Sequence, residues 1–377
     1  MPRTVIDINI LQTVPPSNLN RDDTGSPKTA VYGGVLRARV SSQAWKRATR
    51  LAFGETLDRV DLGVRTKRLV EVLADRARAL NSELETEEVT RLATEVLLGA
   101  GMKLKAPRGK KEGDEGPAEA EFLFFLSNSQ LDRLAKIVVE VSSAEDEKAA
   151  IKAAAPKRIM GEQHSIDVAL FGRMVADHTD LNVDAAAQVA HAISVHKVEN
   201  DYDYFTAVDD AKNREAGDDA GAAMIGSVEF NSSTLYRYAT LDAEHLRSNL
   251  GDAVATRRAV EAFVRSFVTS MPSGKQNTFA NRTLPSAIVV SVRDTQSVNL
   301  VGAFEMPVPA SSGVGAAADR LASHAQEVDA AFGTTPVRSW VVRVGNDTEA
   351  LDALGPRTNF AELVAAVGET VAERIAD

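Results

Sequence analysis

Arg37-Ala-Arg-Val-Ser-Ser-Gln-Ala-Trp-Lys-Arg-Ala-Thr-Arg50 is the stretch around which the chain is organised. Arg37 and Arg39 alternate with Leu36, Ala38 and Val40, a period of two that predicts a short strand with two cations on one face. Ser41 or Ser42 then serves as a helix N-cap. Beyond it Trp45, Ala48 and Ala52 fall on one helical face, while Gln43, Lys46, Arg47 and Arg50 crowd another. One face packs; the other is cationic. Such a helix start suits an anion, because its free N–H groups and the positive end of its dipole sit beside side chains that can close around a phosphate.

The surroundings reinforce that reading. From Thr24 to Gly54 there is no Asp or Glu, yet Lys28, Arg37, Arg39, Lys46, Arg47 and Arg50 all occur there. The chain as a whole is acidic, with a formal net charge of −10 over 377 residues. General polyanion binders carry net positive charge, so a nucleic-acid site in this chain must be a localised groove. At 44% hydrophobic and 25% charged the composition is that of a globular protein, and one elaborated domain or two would fit. Cysteine is absent, which excludes disulfides, thiolate zinc sites and cysteine nucleophiles. Neither a secretory leader nor a run of about 18 apolar residues is present, which predicts a soluble cytoplasmic protein without membrane contact.

Outward from the basic stretch, residues 3 to 14 alternate through Ile6, Ile8 and Ile10 and predict a strand with one buried face, bounded by Pro15 and Pro16. Residues 17 to 23 carry turn chemistry, with Arg21 read as a loop ion pair when taken alone. Gly33 and Gly34 give the backbone freedom where a ligand could come close. Residues 60 to 155 read as a helical excursion from a β-containing body, interrupted by a solvated loop from Lys103 to Ala120. The body resumes with a strand over Ile166–Met174, where Met174 taken alone reads as core, and a helix over 183–197. Val198 to Asp210 is acidic and aromatic, and with the Gly/Ala-rich run ending at Gly226 it predicts the two arms of a long protruding hairpin. Next come a strand from Ser227 to Leu241, with Tyr236 and Tyr238 opposite Arg237, a helix over 253–270, and a turn carrying Lys275. The remainder alternates strand 286–292, strand near 298–306, helix near 315–331, strand 336–344 and helix 358–374. That interleaving favours α+β over a doubly wound sheet.

No Walker loop, GxGxxG, HExxH or GxSxG is present, and His191 and His196 are too far apart to share a helix face. The acids Asp201, Asp203, Asp209, Asp210, Asp218 and Asp219 are the best opening for catalysis, as a metal-dependent ribonuclease with paired carboxylates around divalent ions. They lie in a Gly/Ala-punctuated stretch without the rigid scaffold such a site needs, so binding is preferred to catalysis.

The runs Leu19-Asn-Arg-Asp-Asp23, Tyr32-Gly-Gly34, Arg39-Val-Ser-Ser-Gln43 with Lys46-Arg47-Ala48, Gly172-Arg-Met174, Ala190-His-Ala-Ile193, Asp203-Tyr-Phe-Thr-Ala-Val-Asp-Asp210, Tyr236-Arg-Tyr238 and Gly274-Lys-Gln276 carry a resemblance. Together, over roughly the first 280 residues, the chain resembles the CasC family, the Cas-seven-type backbone subunit of type I-E CRISPR Cascade. The resemblance implies an RRM-like, modified ferredoxin-like palm over 1–59 and 157–377, a helical fingers insertion over 60–156 and a thumb hairpin at 197–226. It implies a non-catalytic protein without a cofactor or metal, stacked head to tail in several copies along one CRISPR RNA. The guide is presented to target DNA, with CasA, CasB, CasD and CasE as further partners. By position, Arg21, Lys28, Ser41, Gln43, Lys46, Arg47 and Arg50 would contact phosphate and sugar. Met174 would lie beside a kinked nucleotide, Tyr204 and Phe205 would hold or pack near a displaced base, and Lys275 and Gln276 would add to the grip. Tyr204 stands where a Trp is familiar, Asn277 where another cation is expected, and the loop 105–117 looks inserted.

Overall fold

β1 (Val5–Ser17) is the spine of a nine-stranded antiparallel sheet. Together with β2 (Thr29–Tyr32), β3 (Val35–Val40) and α1 (Ser42–Ala52), it forms the N-terminal part of a computed structural model that describes residues 3–107, 116–175, 178–207 and 224–376. The main path of the sheet runs Arg338–Arg343, Ala287–Arg293, β1, Met224–Asp242, Ala192–Ser194, β3, β2. The mixture of helices with antiparallel strands makes the fold α+β. Among the described residues no helix is long and apolar enough to cross a membrane.

The chain divides into two units. Met1–Ala52, Gln188–Asp242 and Phe263–Arg374 form the first, and Phe53–Ala187, Ala243–Ala262 and Ile375–Asp377 the second. The second therefore takes in more than the expected 60–156 excursion. Its extra segments join through side-chain bonds such as those from Asn249 Nδ2 to the carbonyls of Ala169 and Asp184, at 3.1 and 2.9 Å.

In the sheet unit, β1 is buried on both faces rather than on one. Ile6, Ile8 and Ile10 fill one side. On the other, Asp7 accepts from Tyr238 Oη at 2.7 Å and from Arg293 Nε at 3.0 Å, and Asn9 accepts from Tyr236 Oη at 2.7 Å. The tyrosines belong to a core with Leu11, Val289, Phe304, Ala318 and Leu321, while Arg237 points to the opposite side, as the alternation predicts. Pro15 and Pro16 lie inside β1 instead of ending it. The ladder to Met224–Asp242 shifts register between Val14 and Ser17, a bulge that accommodates two residues lacking an N–H.

Three local expectations fail for identifiable reasons. Ile166–Phe171 is a helix, ended by Gly172 at φ 77°, and too short for period counting to distinguish from a strand. Residues 183–197 contain two short strands, Ala187–Val189 and Ala192–Ser194, because Ile193 and Ser194 pair with Met224–Asp242. Residues 300–304 form a 3-10 turn, fixed by Asn299 Oδ1 accepting from Val301 N–H at 3.1 Å.

The second unit packs Leu69–Leu80, Thr86–Gly99 and Asn128–Val141 around Leu73, Leu92, Val96, Leu131, Leu134 and Val138. A capping box starts the third helix, where Ser127 Oγ accepts from Gln130 N–H and Gln130 Oε1 accepts from Ser127 N–H. Many of its surface cations are paired: Arg76 with Asp132, Arg91 with Glu147, Lys157 with Asp180. The residues 108–115 of the expected loop at 105–117, and 208–223 of the hairpin at 197–226, lie outside the described residues, as do Asp209, Asp210, Asp218 and Asp219.

Candidate nucleic-acid interface

α1 begins as the serines require. Ser41 Oγ accepts from the Ala44 N–H at 3.3 Å, and the Ser41 N–H is in turn held by Asn20 Oδ1 at 2.9 Å. Asn20 therefore ties the helix start to the loop that carries Arg21. That loop is fixed at its other end as well, where Lys28 N–H donates to Asn20 O at 2.8 Å and Arg39 N–H to Lys28 O at 2.9 Å. Trp45 and Thr49 are buried beneath α1, while Gln43 and Arg47 are exposed and Lys46 and Arg50 half-buried.

The cations here are treated differently from those of the helical unit. Among the described residues Arg21, Lys28, Lys46, Arg47 and Lys275 have no carboxylate partner, so the loop ion pair expected for Arg21 does not form. Lys46 is held below its ordinary pKa by burial alone, with no acid opposing it. His191 lies beside Arg39, its Nδ1 3.2 Å from Arg39 Nη1, and burial followed by the charges of Arg39 and Lys28 holds it below its usual value. Asn20, Lys28, Arg39, Asn231 and Ser233 line one shallow cleft on the sheet.

Lys275 and Gln276, far away in sequence, arrive at the same loop. A Cβ on Gly274 would lie 2.3 Å from the Leu19 carbonyl oxygen, so the glycine lets one backbone lie against another. Lys275 itself adopts φ 50° at the turn before Gln276–Phe279. Phe279 packs against Phe230 with centroids 5.6 Å apart, and Asn18 Nδ2 donates to Glu229 O at 2.9 Å. These contacts join the loop, the Lys275 turn and the base of the hairpin.

The two arms of that hairpin are Asp201–Ala207 and Met224–Phe230, paired from Asp201↔Phe230 to Ala207↔Met224. Tyr204 is 65% exposed and Phe205 36%. The Phe205 ring covers its cross-strand partner Gly226, where a Cβ would meet Phe205 Cζ at 2.5 Å. Asp201 and Asp203 sit on the first arm; among the described residues no group of three acids, histidines or cysteines could hold a metal ion.

Arg37 is a correction. It is 0% exposed and donates to the carbonyls of Tyr32, Ser194, Phe304 and Glu305, so it is a structural clamp and not an anion ligand. The freedom of Gly33 serves the same packing, since its Cβ would coincide with the Glu305 carbonyl. Met174 belongs to the helical unit and is not a core residue. It is 87% exposed, next to Arg173, which is buried among the carbonyls of Leu181, Phe125 and Met160. Burial alone pulls the Arg173 guanidinium down to about 10. Sequence reasoning gave no site role to Asn20, Arg39 or His191; an Asn in a turn next to an acid-free basic run was the available signal for the first.

Residues 6–366 match the family described as CT1975-like protein. Among solved structures, a chain of a "CRISPR RNA-guided surveillance complex, pre-nicking" is 34% identical with a TM-score of 0.85, covering 97% of this chain and 100% of that one. A chain of another "CRISPR RNA-guided surveillance complex" is 29% identical with a TM-score of 0.73, covering 97% and 99%. No curated protein matches. With the family match running nearly from end to end, on a sheet unit that gathers the Asn20, Ser41 and Gly274 runs at one loop, the chain belongs to the CT1975-like family and is a CasC-type, Cas-seven-like protein.

Proposed function

We propose that the protein is a non-catalytic, sequence-tolerant backbone subunit for CRISPR RNA in antiviral defence. The observation that carries this reading is the set of carboxylate-free cations around a helix start pinned by Asn20. A guide-binding backbone must accept any sequence, so it grips phosphate and sugar and leaves the base edges free for target DNA. Lys28, Lys46, Arg47 and Lys275 supply charge without base readout, with Arg21, Ser41, Gln43, Arg50 and Gln276 beside them. The N–H groups at the start of α1 add donors for one phosphate.

In this reading the sheet unit is the RRM-like palm, the helical unit the fingers, and the hairpin the thumb. Tyr204 and Phe205 offer flat apolar surfaces to a displaced base, and the exposed Met174 offers a flexible apolar one beside the kinked nucleotide, without reading base identity. Copies stack head to tail on the RNA in the cytoplasm, beside CasA, CasB, CasD and CasE. Each modest groove is reinforced by its neighbours' effective concentration. The test is assembly on co-expressed guide RNA by gel filtration. The wild-type chain elutes as a large ribonucleoprotein; the Lys28→Glu/Lys46→Glu double variant elutes as free protein. Normal assembly by that variant refutes the proposal, and cleavage of bound RNA in Mg²⁺ revives the ribonuclease alternative.

A further inference from the structure

Arg237, in the Tyr236-Arg-Tyr238 run, takes no direct part in the groove, yet it lies directly under α1. Its guanidinium is 1% exposed, 3.7 Å from the centroid of the Trp45 ring and 4.7 Å from that of Phe267. Nη1 donates to Gln12 Oε1 at 2.5 Å, and Nη2 to the Phe267 carbonyl. All of these neighbours are neutral. Gln12 cannot turn to offer anything else, because its Nε2 is engaged by the Thr283 carbonyl at 2.8 Å. The contrast within the same sheet is Arg293, equally buried but paired with both Asp7 and Asp329.

A buried guanidinium without a counter-ion is costly in the free protein, and here burial pushes it down to about 9. The Trp45 and Phe267 rings and the bonds to Gln12 and the Phe267 carbonyl offset part of that cost, but they leave the positive charge unneutralised. Trp45, which stacks on the guanidinium, neighbours Lys46 in sequence and lies one turn from the start of α1.

We propose that Arg237 is a positioning residue and a fixed, uncompensated cation that seats α1 through Trp45 and strengthens phosphate binding at the helix start without touching the RNA. This rests on the RNA-binding reading above. At an effective dielectric of about 20, one charge roughly 10 Å from a phosphate changes affinity on the order of tenfold.

The test uses the full chain and a fluorescein-labelled oligouridine, with affinity read by anisotropy over a salt series. Arg237→Met, similar in volume and uncharged, is expected to bind about tenfold more weakly. The slope of log affinity against log salt is expected to stay unchanged, since no contacted phosphate is lost. Arg237→Lys restores a titratable charge in the same place while losing the fork to Gln12 and Phe267. Its affinity relative to Arg237→Met is expected to rise as pH is lowered from 9 to 6, because a buried lysine gains its proton over that range. Taking the ratio cancels other titrating groups.

A folded Arg237→Met with wild-type affinity overturns the proposal, as does a reduced salt slope, which would mean direct contact. A ratio of one at every pH reduces Arg237 to packing alone. Should Arg237→Met fail to fold, Arg237→Gln takes its place as the neutral reference and the same ratio decides. Failure of the wild-type chain itself to bind the oligonucleotide overturns the RNA-binding reading instead, and is visible before any variant is compared.

Discussion

Lys46→Gln isolates the charge on which the interface depends. Lys46 is half-buried on α1 and has no carboxylate partner among the described residues, so its removal strands no acid, and folded stability should move by no more than about 0.5 kcal/mol. Binding responds differently. On a single strand each neutralised phosphate contributes about 0.7 to the slope of log affinity against log salt. Losing one contact therefore costs roughly fourfold in affinity at 0.15 M salt and roughly eightfold at 0.05 M, relative to 1 M. Replacing Lys28, Lys46, Arg47 and Lys275 together should flatten the slope by about 3 and cost on the order of 200-fold at 0.15 M. The assay is anisotropy of labelled RNA over that salt range, with thermal unfolding in parallel. Arg76→Gln is the control. Arg76 donates to Asp132 Oδ1 at 2.6 Å and to the Asn128 carbonyl at 2.9 Å, so its loss should cost about 1–3 kcal/mol of stability while keeping the full salt slope. A Lys46→Gln slope equal to wild type, or an equal fall in Arg76→Gln, refutes the reasoning.

Three further outcomes follow from the geometry. Gly274→Val pushes a side chain into the Leu19 carbonyl, so it should cost about 1–3 kcal/mol and weaken RNA binding by displacing the loop that Asn20 anchors; an unfolding midpoint equal to wild type contradicts this. His191 is held below its ordinary pKa by burial and then by Arg39 and Lys28, and a phosphate bound beside it counters those cations and raises that value. RNA binding should then take up a proton and tighten as pH falls from 7.5 to 5.5, a trend that His191→Ala should flatten in the same anisotropy assay. Phe205→Ala removes the ring that covers Gly226, and chemical probing of RNA in the complex should show altered reactivity at the base proposed to lie against the hairpin, whereas an identical pattern removes Phe205 from the thumb role.

What was legible in the sequence was what local chemistry fixes. The strand-to-helix handover at Ser41, the packing face of Trp45 and the opposed faces of Tyr236 and Arg237 follow from periods of 2 and 3.6, which act within a few residues. So does the acid-free basic run, because charge is a property of composition. Tertiary structure alone decided which of those cations are free. Arg37 and Arg39 share one strand face, yet Arg37 is enclosed by the carbonyls of Tyr32, Ser194, Phe304 and Glu305, and Arg39 stops at the rim beside His191. The enclosing residues lie more than 150 positions away, apart from Tyr32, and no window along the chain contains them. Likewise the two short strands at 187–194 exist because Met224–Asp242 offers them a partner, against a local pattern that reads as helix. The sequence by itself set where positive charge is available and where the Val35–Val40 strand hands over to the Trp45 helix. The assembly of Asn20, Lys28, Ser41 and Lys275 at one loop belongs to the sheet, since only long-range pairing brings residues 18 and 274 into contact.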